Sequence, residues 1–337
     1  MAAAFLFVLG TGVLSLALYA LGMTFFLGVV LPYAAVLVFA VGCIRRIVCW
    51  AASPVPFPIA LTGGQQKSLP WIRQAEFEAP SSGLHIAGRL FLDIVLFRPL
   101  LRNSRAETLD TPEGMRLVYW PSRWLWLFAI LFHYALLVIL IRHLRFFIEP
   151  VPACIRALEF FDTLMRIGSP AAFLSGPIVV AALFLLLLRR LYDPKLRYIS
   201  LAGDYFPLFL LLAVALSGIF LRYWGRTDIA SVKALTMGLV TFSPAVPAGI
   251  GAAFYLHTTF VAALLICFPF SKLMHAAGVL LSPTRNTAAN SREFRHTNPW
   301  NGPTRYRTYA EYEDEFRGAM AEAGLPLEKE PGPAGAE

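Results

Sequence analysis

Residues 248–275 read AGIGAAFYLHTTFVAALLICFPFSKLMH, with no acidic or basic side chain before Lys272. At about 1.5 Å per residue, an apolar run of this length crosses the hydrocarbon core of a bilayer as a helix. The run carries His257, and His275 follows 18 residues later. Because 18 residues make about five helical turns, both imidazoles are predicted on one helix face. The stretch therefore predicts a membrane helix that presents two imidazoles on one side.

The composition of the whole chain agrees with a membrane protein. Of its 337 residues, 57% are hydrophobic and 15% are charged, and the mean hydropathy is +0.61. A soluble domain has about a quarter of its residues charged, and a disordered chain has far less apolar surface, so both classes are excluded. The net charge of +8 arises from basic residues that flank apolar segments. This placement indicates membrane lipid as the partner, and no nucleic acid is expected.

The four cysteines do not form a local metal-binding motif. No two of them are in CxxC spacing, and no CxxCH occurs. A thiolate zinc site, an iron–sulfur cluster and covalently attached haem therefore have no complete local ligand set.

Six apolar segments are long enough to span a membrane. A charge-free run over residues 3–44 predicts two helices with Gly22 near the turn, and it is too long for a signal peptide. The predicted spans are 3–21, 25–44, 123–147, 171–189, 204–222 and 248–272. The predicted fold class is an all-α membrane protein with six transmembrane helices.

The distribution of basic residues predicts the orientation. If residues 45–123, 189–197 and everything from Lys272 onward face the cytoplasm, that side holds 22 of the 29 Lys and Arg residues. By the positive-inside rule, both termini are then cytoplasmic in a multi-pass protein of the cytoplasmic (inner) membrane. A polar tail rich in Asn, Pro, Arg and Tyr is typical of a segment that is disordered or folds against a partner.

This orientation divides the chain into four regions. Within the cytoplasmic loop 45–122, residues 83–102 have an amphipathic pattern that is typical of a helix on the membrane surface. Residues 64–71 of the same loop are a candidate docking element for a soluble subunit. The regions are two N-terminal transmembrane helices (1–44), a cytoplasmic loop (45–122), a four-helix core (123–280) and a cytoplasmic C-terminal tail (281–337).

Four of the six histidines belong to the third and sixth spans. They are His133, His143, His257 and His275. Histidine in the hydrocarbon region is costly without a partner and is a functional candidate. Since the two spans run in opposite directions, His133 is predicted level with His275, and His143 level with His257. Haem is the ligand that needs two axial nitrogens from facing helices in an apolar pocket, so two haem b groups are predicted.

The four histidines also admit other interpretations. Zinc would need further Cys, Asp or Glu ligands, and a proton relay would need carboxylates within the spans. Unrelated helix-packing hydrogen bonds, as in a haem-free membrane anchor or transporter, remain an alternative. The axial rise is about 15 Å between His133 and His143 but about 27 Å between His257 and His275, and a bend at Pro269 is expected to absorb part of the difference.

Charged residues near the predicted haem positions are candidates for supporting roles. Arg142, Arg145 and Lys272 are predicted to contact the anionic haem propionates, with snorkelling to the interface as the alternative. In the outer loop 148–170, charged side chains could accept protons from a quinol and orient its carbonyl oxygens, or the loop could simply be solvated. These side chains are Glu149, Glu159, Asp162, Arg156 and Arg166.

Several motifs resemble the gamma subunit of respiratory nitrate reductases, the NarI family. They are the stretch Cys267-Phe-Pro-Phe-Ser-Lys-Leu-Met-His275 with His257 before it, the spacing of 10 between His133 and His143, the Arg189-Arg190-Leu191 link and the pair Gly203-Asp204. The resemblance implies a NarI-like di-haem cytochrome b bundle with one extra N-terminal helix. It also implies that the four histidines are haem axial ligands and that menaquinol reacts at the outer haem.

The extra helix and the loop motif Gly64-Gln-Gln-Lys-Ser-Leu-Pro-Trp71 are similar to the DsrM family, cytochrome b subunits of the sulfite-reduction-associated complex DsrMKJOP. This resemblance implies a cytoplasmic iron–sulfur partner like DsrK, and DsrJ-, DsrO- and DsrP-like subunits. The expected function is electron transfer between menaquinol and that partner in dissimilatory sulfur metabolism. A gamma subunit of a nitrate reductase or of a heterodisulfide reductase-type complex is the alternative.

Overall fold

The computed structural model describes residues 1–53, 64–102, 104–165, 171–225, 227–290, 292–293 and 306–329. The described residues up to 293 form one compact unit, and residues 306–329 belong to a second.

Helices dominate the described residues. Six of them, with their flanking turns, are long and apolar enough to span a membrane, which confirms the predicted fold class. These six are α1, α2, α4, α6, α8 and α10. The helices in chain order are α1 (Ala2–Ala20), α2 (Leu31–Ala51), α3 (Gly83–Val95), α4 (Arg123–His143), α5 (Ala153–Asp162), α6 (Ser175–Tyr192), α7 (Pro194–Ile199), α8 (Ala202–Tyr223), α9 (Ile229–Val240), α10 (Ala252–Cys267), α11 (His275–Leu281), α12 (Pro283–Asn286) and α13 (Tyr309–Glu322).

The turn between the first two spans is built by local sequence. The N–H of Gly22 donates to Tyr19 O at 2.9 Å, and the N–H of Met23 donates to Leu18 O at 3.0 Å. Gly22 has φ of 75°, a left-handed conformation that glycine adopts without steric cost. The chain then enters α2 through a π-helical turn over Phe26–Val30.

Two small hairpins add to the helices. Strands β1 (Arg105–Thr111) and β2 (Gly114–Trp120) pair antiparallel, from Arg105 opposite Trp120 to Thr111 opposite Gly114. Strands β3 (Thr163–Met165) and β4 (Ala172–Phe173) form the second antiparallel pair. The first hairpin lies in the loop 45–122, where the amphipathic pattern predicted a helix but no strands.

The bundle is organised around α10. Helix α10 packs on α1, α2 and α8, whereas α4 packs chiefly on α6, which also contacts α8. Between α1 and α10, the hydroxyls of Ser15 and Thr259 are 2.9 Å apart, a polar contact of the kind that joins membrane helices. In the described part of the chain, α4 and α10 therefore pack mainly on different helices.

The predicted helix over 248–272 is shorter and is interrupted. Helix α10 ends at Cys267, and a 3-10 turn with Pro269 follows over Phe268–Phe270. Ser271 is extended, with φ of −114° and ψ of 177°, so the helical path stops there. His275 therefore does not share a continuous helix with His257, and the expected alignment of both imidazoles on one helix face is corrected.

The predicted amphipathic helix is present as α3. Its apolar residues Leu84 and Phe91 are exposed, while Arg89 and Asp93 are buried. The polar side of α3 thus packs against the protein and leaves the apolar side free, the arrangement expected for a helix lying on a membrane surface.

The second unit is built around α13. The Thr308 hydroxyl accepts from the N–H of Glu311, and the Glu311 carboxylate accepts from the N–H of Thr308, which makes a capping box. The sequence interpretation of the tail did not predict this helix.

Candidate functional site

The four membrane histidines come together as two pairs. His133 and His143 lie on α4, His257 lies on α10, and His275 begins α11. The imidazole centres of His133 and His275 are 6.0 Å apart, and those of His143 and His257 are 6.5 Å apart. The structure thus brings together the side chains that antiparallel spans were expected to place level with each other.

The break after Pro269 makes this pairing possible. A straight helix would carry His275 much farther along the bundle from His257 than His133 is from His143. Because the chain turns at Pro269 and is extended at Ser271, His275 reaches the ring of His133 without a matching helical rise.

Three imidazoles are oriented by a backbone carbonyl one turn away. Nδ1 of His133 is 2.7 Å from Ala129 O, Nδ1 of His143 is 2.7 Å from Ile139 O, and Nδ1 of His275 is 2.8 Å from Lys272 O. A carbonyl oxygen can only accept, so Nδ1 carries the proton in each ring. The lone pair of the neutral imidazole is then on Nε2.

His257 has a different partner that leads to the same tautomer. Its Nδ1 is 3.0 Å from the Ser217 hydroxyl, which in turn donates to Val214 O at 3.1 Å. With its proton directed to Val214, the Ser217 oxygen accepts from Nδ1–H of His257. Gly218 is the next residue, and a Cβ built there would lie 3.1 Å from Cε1 of His257. Serine and glycine on α8 therefore position this ring.

These observations test whether haem fits the residues present. If two imidazoles bound one metal ion from opposite sides, each through a bond of about 2 Å, the distance between the ring centres would be the two bonds plus the two ring radii. This sum is about 6 Å. Both measured separations agree with this value. Metal-binding histidines also commonly donate their second ring N–H to a carbonyl or similar acceptor. In both respects the two pairs fit an axial ligand set.

A metal bound only by protein side chains fits less well. Within the described ranges, no group of three or more His, Cys, Asp or Glu side chains comes together. A pair of imidazoles suits haem because the macrocycle itself supplies the remaining nitrogen ligands.

Each of the three side chains that were predicted to contact haem propionates forms an ion pair with a carboxylate of the chain. Arg142 Nη1 is 2.5 Å from Asp162 Oδ2 and 3.1 Å from the Ser175 hydroxyl. Arg145 Nη1 is 2.6 Å from Glu159 Oε1, and Lys272 Nζ is 2.5 Å from Asp204 Oδ1. The propionate role of these cations stays a prediction.

The described part of the loop 148–170 contains ion pairs and a buried acid. Asp162 is buried and accepts from Ser175 N at 2.8 Å and from the Ser175 hydroxyl at 2.7 Å. Glu149 pairs with Lys233, and Arg156 donates to Val151 O. The predicted Arg166 lies outside the described residues.

An apolar groove of about 300 Å³ runs between α4 and α6. Apolar side chains of both helices line it, and Asp162 and Ser175 form its polar part. The sequence interpretation missed this groove and the roles of Ser217 and Gly218. A polar and a small residue side by side in an otherwise apolar span are the one signal that could have indicated the latter two.

Of the two remaining histidines, the one that the structure describes belongs to neither pair. His85 lies 3.9 Å from Glu76, and His296 lies outside the described residues. In the predicted docking element, Lys67 pairs with Glu293 at 3.1 Å, and Trp71 is exposed.

Comparisons with known proteins agree with this architecture. A family model described as nitrate reductase gamma subunit matches residues 118–286, the region that contains all four paired histidines. The Hdr-like menaquinol oxidoreductase cytochrome b-like subunit of Archaeoglobus fulgidus is 47% identical over 280 residues, which cover 81% of this chain and 82% of the relative. The protein of the same name from Archaeoglobus profundus is 40% identical over 277 residues, which cover 80% and 81% of the two chains. The chain therefore belongs to the nitrate reductase gamma subunit family, as its motifs predicted, and to the family of cytochrome b-like subunits that these archaeal relatives represent.

Proposed function

We propose that this chain passes electrons between menaquinol at the outer face of the cytoplasmic membrane and an iron–sulfur subunit on the cytoplasmic side. The observation that carries the proposal is the arrangement of four imidazoles in two facing pairs, each with Nδ1 in a hydrogen bond. The name that both relatives share supports menaquinol as the reductant and an Hdr-like complex as the setting.

The four histidines are proposed to hold two haem b groups. His143 and His257 hold the outer one, and His133 and His275 hold the inner one. When bound, haem supplies one-electron redox chemistry at an iron whose potential depends on its axial ligands and surroundings. The chain holds Nδ1 of each imidazole in a hydrogen bond, and this bond fixes the direction of the lone pair on Nε2.

The three cations retain hydrogen-bond donors for haem propionates. The Lys272 side chain is 84% exposed and that of Arg145 is 42% exposed, so each can add a second anionic partner. Arg142 is largely buried, and its Nε has no hydrogen-bond partner among the described residues. An anion beside Arg142, Arg145 or Lys272 would form charge-assisted hydrogen bonds.

The groove between α4 and α6 is proposed as the menaquinol site. Its apolar walls suit an isoprenoid tail, and its polar part carries the buried Asp162 and Ser175. Quinol oxidation releases protons, and a carboxylate at the site of release can accept them. Asp162 pairs with Arg142, the residue before His143, so this acid lies close to the outer histidine pair.

The complex is proposed to operate in dissimilatory sulfur metabolism, with this chain as its DsrM-like subunit. Support comes from the extra N-terminal helix and the loop motif at residues 64–71. The proposed cytoplasmic partner is an iron–sulfur subunit like DsrK, of the heterodisulfide reductase type, and DsrJ-, DsrO- and DsrP-like subunits would complete the complex. Copurification of an iron–sulfur subunit of that type with the tagged chain is the expected result, and copurification of a molybdenum-containing nitrate reductase subunit would contradict this assignment.

The test of electron transfer is a reduced-minus-oxidised spectrum of the purified chain and of four single variants. The wild-type chain should show the alpha bands of two low-spin b haems. His143→Ala and His257→Ala should remove one and the same signal, and His133→Ala and His275→Ala should remove the other.

His85→Ala is the matched control, because His85 lies outside both pairs, and it should leave both signals intact. A colourless wild-type protein would overturn the proposal. Loss of a common signal in His133→Ala and His257→Ala would overturn the assignment of the pairs.

A further inference from the structure

The ring of Phe97 lies against the imidazole of His133. The two ring centres are 4.9 Å apart. Helix α3 ends at Val95, Leu96 caps it, and Phe97 is the next residue. Phe97 has φ of 51° and ψ of 36°, a left-handed conformation that is unfavourable for a bulky side chain. A strained residue persists only where its surroundings hold it in place, so the contacts around Phe97 identify what keeps the ring there.

Two side chains of α4 hold the backbone just before Phe97. Trp126 Nε1 donates to Leu96 O at 2.7 Å, and the Tyr134 hydroxyl donates to Val95 O at 3.0 Å. Tyr134 is the neighbour of His133 in sequence, and Trp126 is two helical turns earlier. The end of α3 is thus fastened to the same stretch of α4 that carries His133.

The other side of α3 is tied to the chain that follows His275. Asp93 is buried, and Arg285 Nη1 of α12 lies 2.5 Å from its Oδ2. Arg89, one turn earlier on α3 and also buried, lies 3.8 Å from the same carboxylate oxygen. Removing one partner of a buried ion pair leaves an uncompensated charge, so such pairs hold their elements firmly together.

We propose that α3 is a strut that joins the two segments carrying the inner histidines, and that Phe97 is a positioning residue for the His133 imidazole. The strut lies outside the region that matches the nitrate reductase gamma family, which begins at residue 118. It connects the cytoplasmic loop to the ring nearest that side, so the loop takes part in building the inner site. The inference rests on the proposed function in one respect only, because one of its two tests measures haem signals.

The first test compares Phe97→Ala, Phe97→Leu and Phe91→Ala in the full-length chain. Phe97→Ala should shift the midpoint potential and the low-spin electron paramagnetic resonance signal of the haem that is lost in His133→Ala. The signal that depends on His143 and His257 should not change. Phe97→Leu should restore part of the wild-type behaviour, because it keeps apolar bulk against the ring. Phe91 is exposed on α3, the helix before Phe97, and its variant is the matched control.

The second test has a readout that needs no haem. The double variant Trp126→Phe with Tyr134→Phe removes both donors and keeps an aromatic ring at each position. Amide hydrogen exchange over residues 93–97 should become several-fold faster, while exchange in α1 stays the same.

The outcomes separate this inference from the proposed function. Wild-type protein without haem would contradict the proposed function, and the hydrogen-exchange test would still apply to the strut. Two normal haem signals in Phe97→Ala, or unchanged exchange in the double variant, would overturn the inference itself.

Discussion

Each paired imidazole owes its orientation to one hydrogen bond at Nδ1. Three of these bonds go to carbonyls of the chain segment that carries the ring, so an uninterrupted helix or turn is sufficient to make them. His257 is the exception, because its partner Ser217 lies on α8. The pair of His143 and His257 therefore depends on a contact between helices that the pair of His133 and His275 does not need.

Replacing Ser217 tests this dependence. Ser217→Ala removes the acceptor for Nδ1–H of His257, and loss of such an outer-shell partner lowers metal affinity by about 10–100-fold. The expected result is weaker retention of the outer haem, measured as haem per protein during dilution in detergent, with the inner haem unaffected. Thr11→Ala is the control, because that hydroxyl bonds only Phe7 O within α1. Equal retention of both haems would show that Ser217 does not orient the ring.

Gly218 is expected to be intolerant of any side chain. Because a Cβ there would lie 3.1 Å from His257, Gly218→Ala must displace the imidazole or push α8 away from α10. We expect a loss or shift of the haem signal that depends on His143 and His257. Gly10→Ala is the matched control, since nothing lies within 4 Å of a Cβ at that membrane-helix position. The same shift in both variants would point to a general effect on membrane insertion.

At the scale of the elements, α9 supports the segment that follows His143. The Thr236 hydroxyl donates to Phe146 O at 2.6 Å, and Leu235 lies in the core formed with Tyr255. The helix starts at an Asp228 cap, whose carboxylate accepts from the N–H groups of Ala230 and Ser231. The cap is therefore the local feature that keeps the first turn of α9 formed.

This cap predicts a pH dependence for α9. The hydrogen bond from the Ser231 hydroxyl, followed by those from the N–H groups of Ala230 and Ser231, lowers the pKa of Asp228. A lowered folded pKa means that the stabilising contribution is complete above the usual pKa of an aspartate and is lost as the pH falls through the folded value. We expect hydrogen exchange in residues 229–232 to accelerate in acid, after correction for the intrinsic rate.

Two variants separate the cap from general acid effects. Asp228→Ala should show fast exchange in residues 229–232 already at neutral pH. Asp228→Asn keeps a side-chain acceptor, so it should exchange slowly at neutral pH and lose the acid dependence. An unchanged acid response in Asp228→Asn would assign the effect to other carboxylates.

At the scale of the whole molecule, two exposed cysteines report the orientation in the membrane. Cys49 is exposed near the end of α2, and Cys154 is exposed in α5. Positive-inside orientation places Cys49 at the cytoplasmic side and Cys154 outside. In single-cysteine variants, a membrane-impermeant maleimide should label Cys154 in intact spheroplasts and Cys49 only after permeabilisation. Labelling of Cys49 in intact spheroplasts would reverse the predicted orientation.

The sequence alone determined the six apolar helices and which histidines face each other, because local hydropathy sets the helices that can span a bilayer and the order and spacing of these helices set the histidine pairs. The orientation of the chain across the membrane stays a prediction. The haem-ligand role of those histidines stays a prediction. The end of α10 lies close to Pro269, where the sequence indicated a bend. Only the tertiary structure decided the contact of Ser217 and Gly218 with His257 and the position of Phe97 against His133. These features depend on side chains that are tens of residues apart in the chain, and packing between helices brings them together.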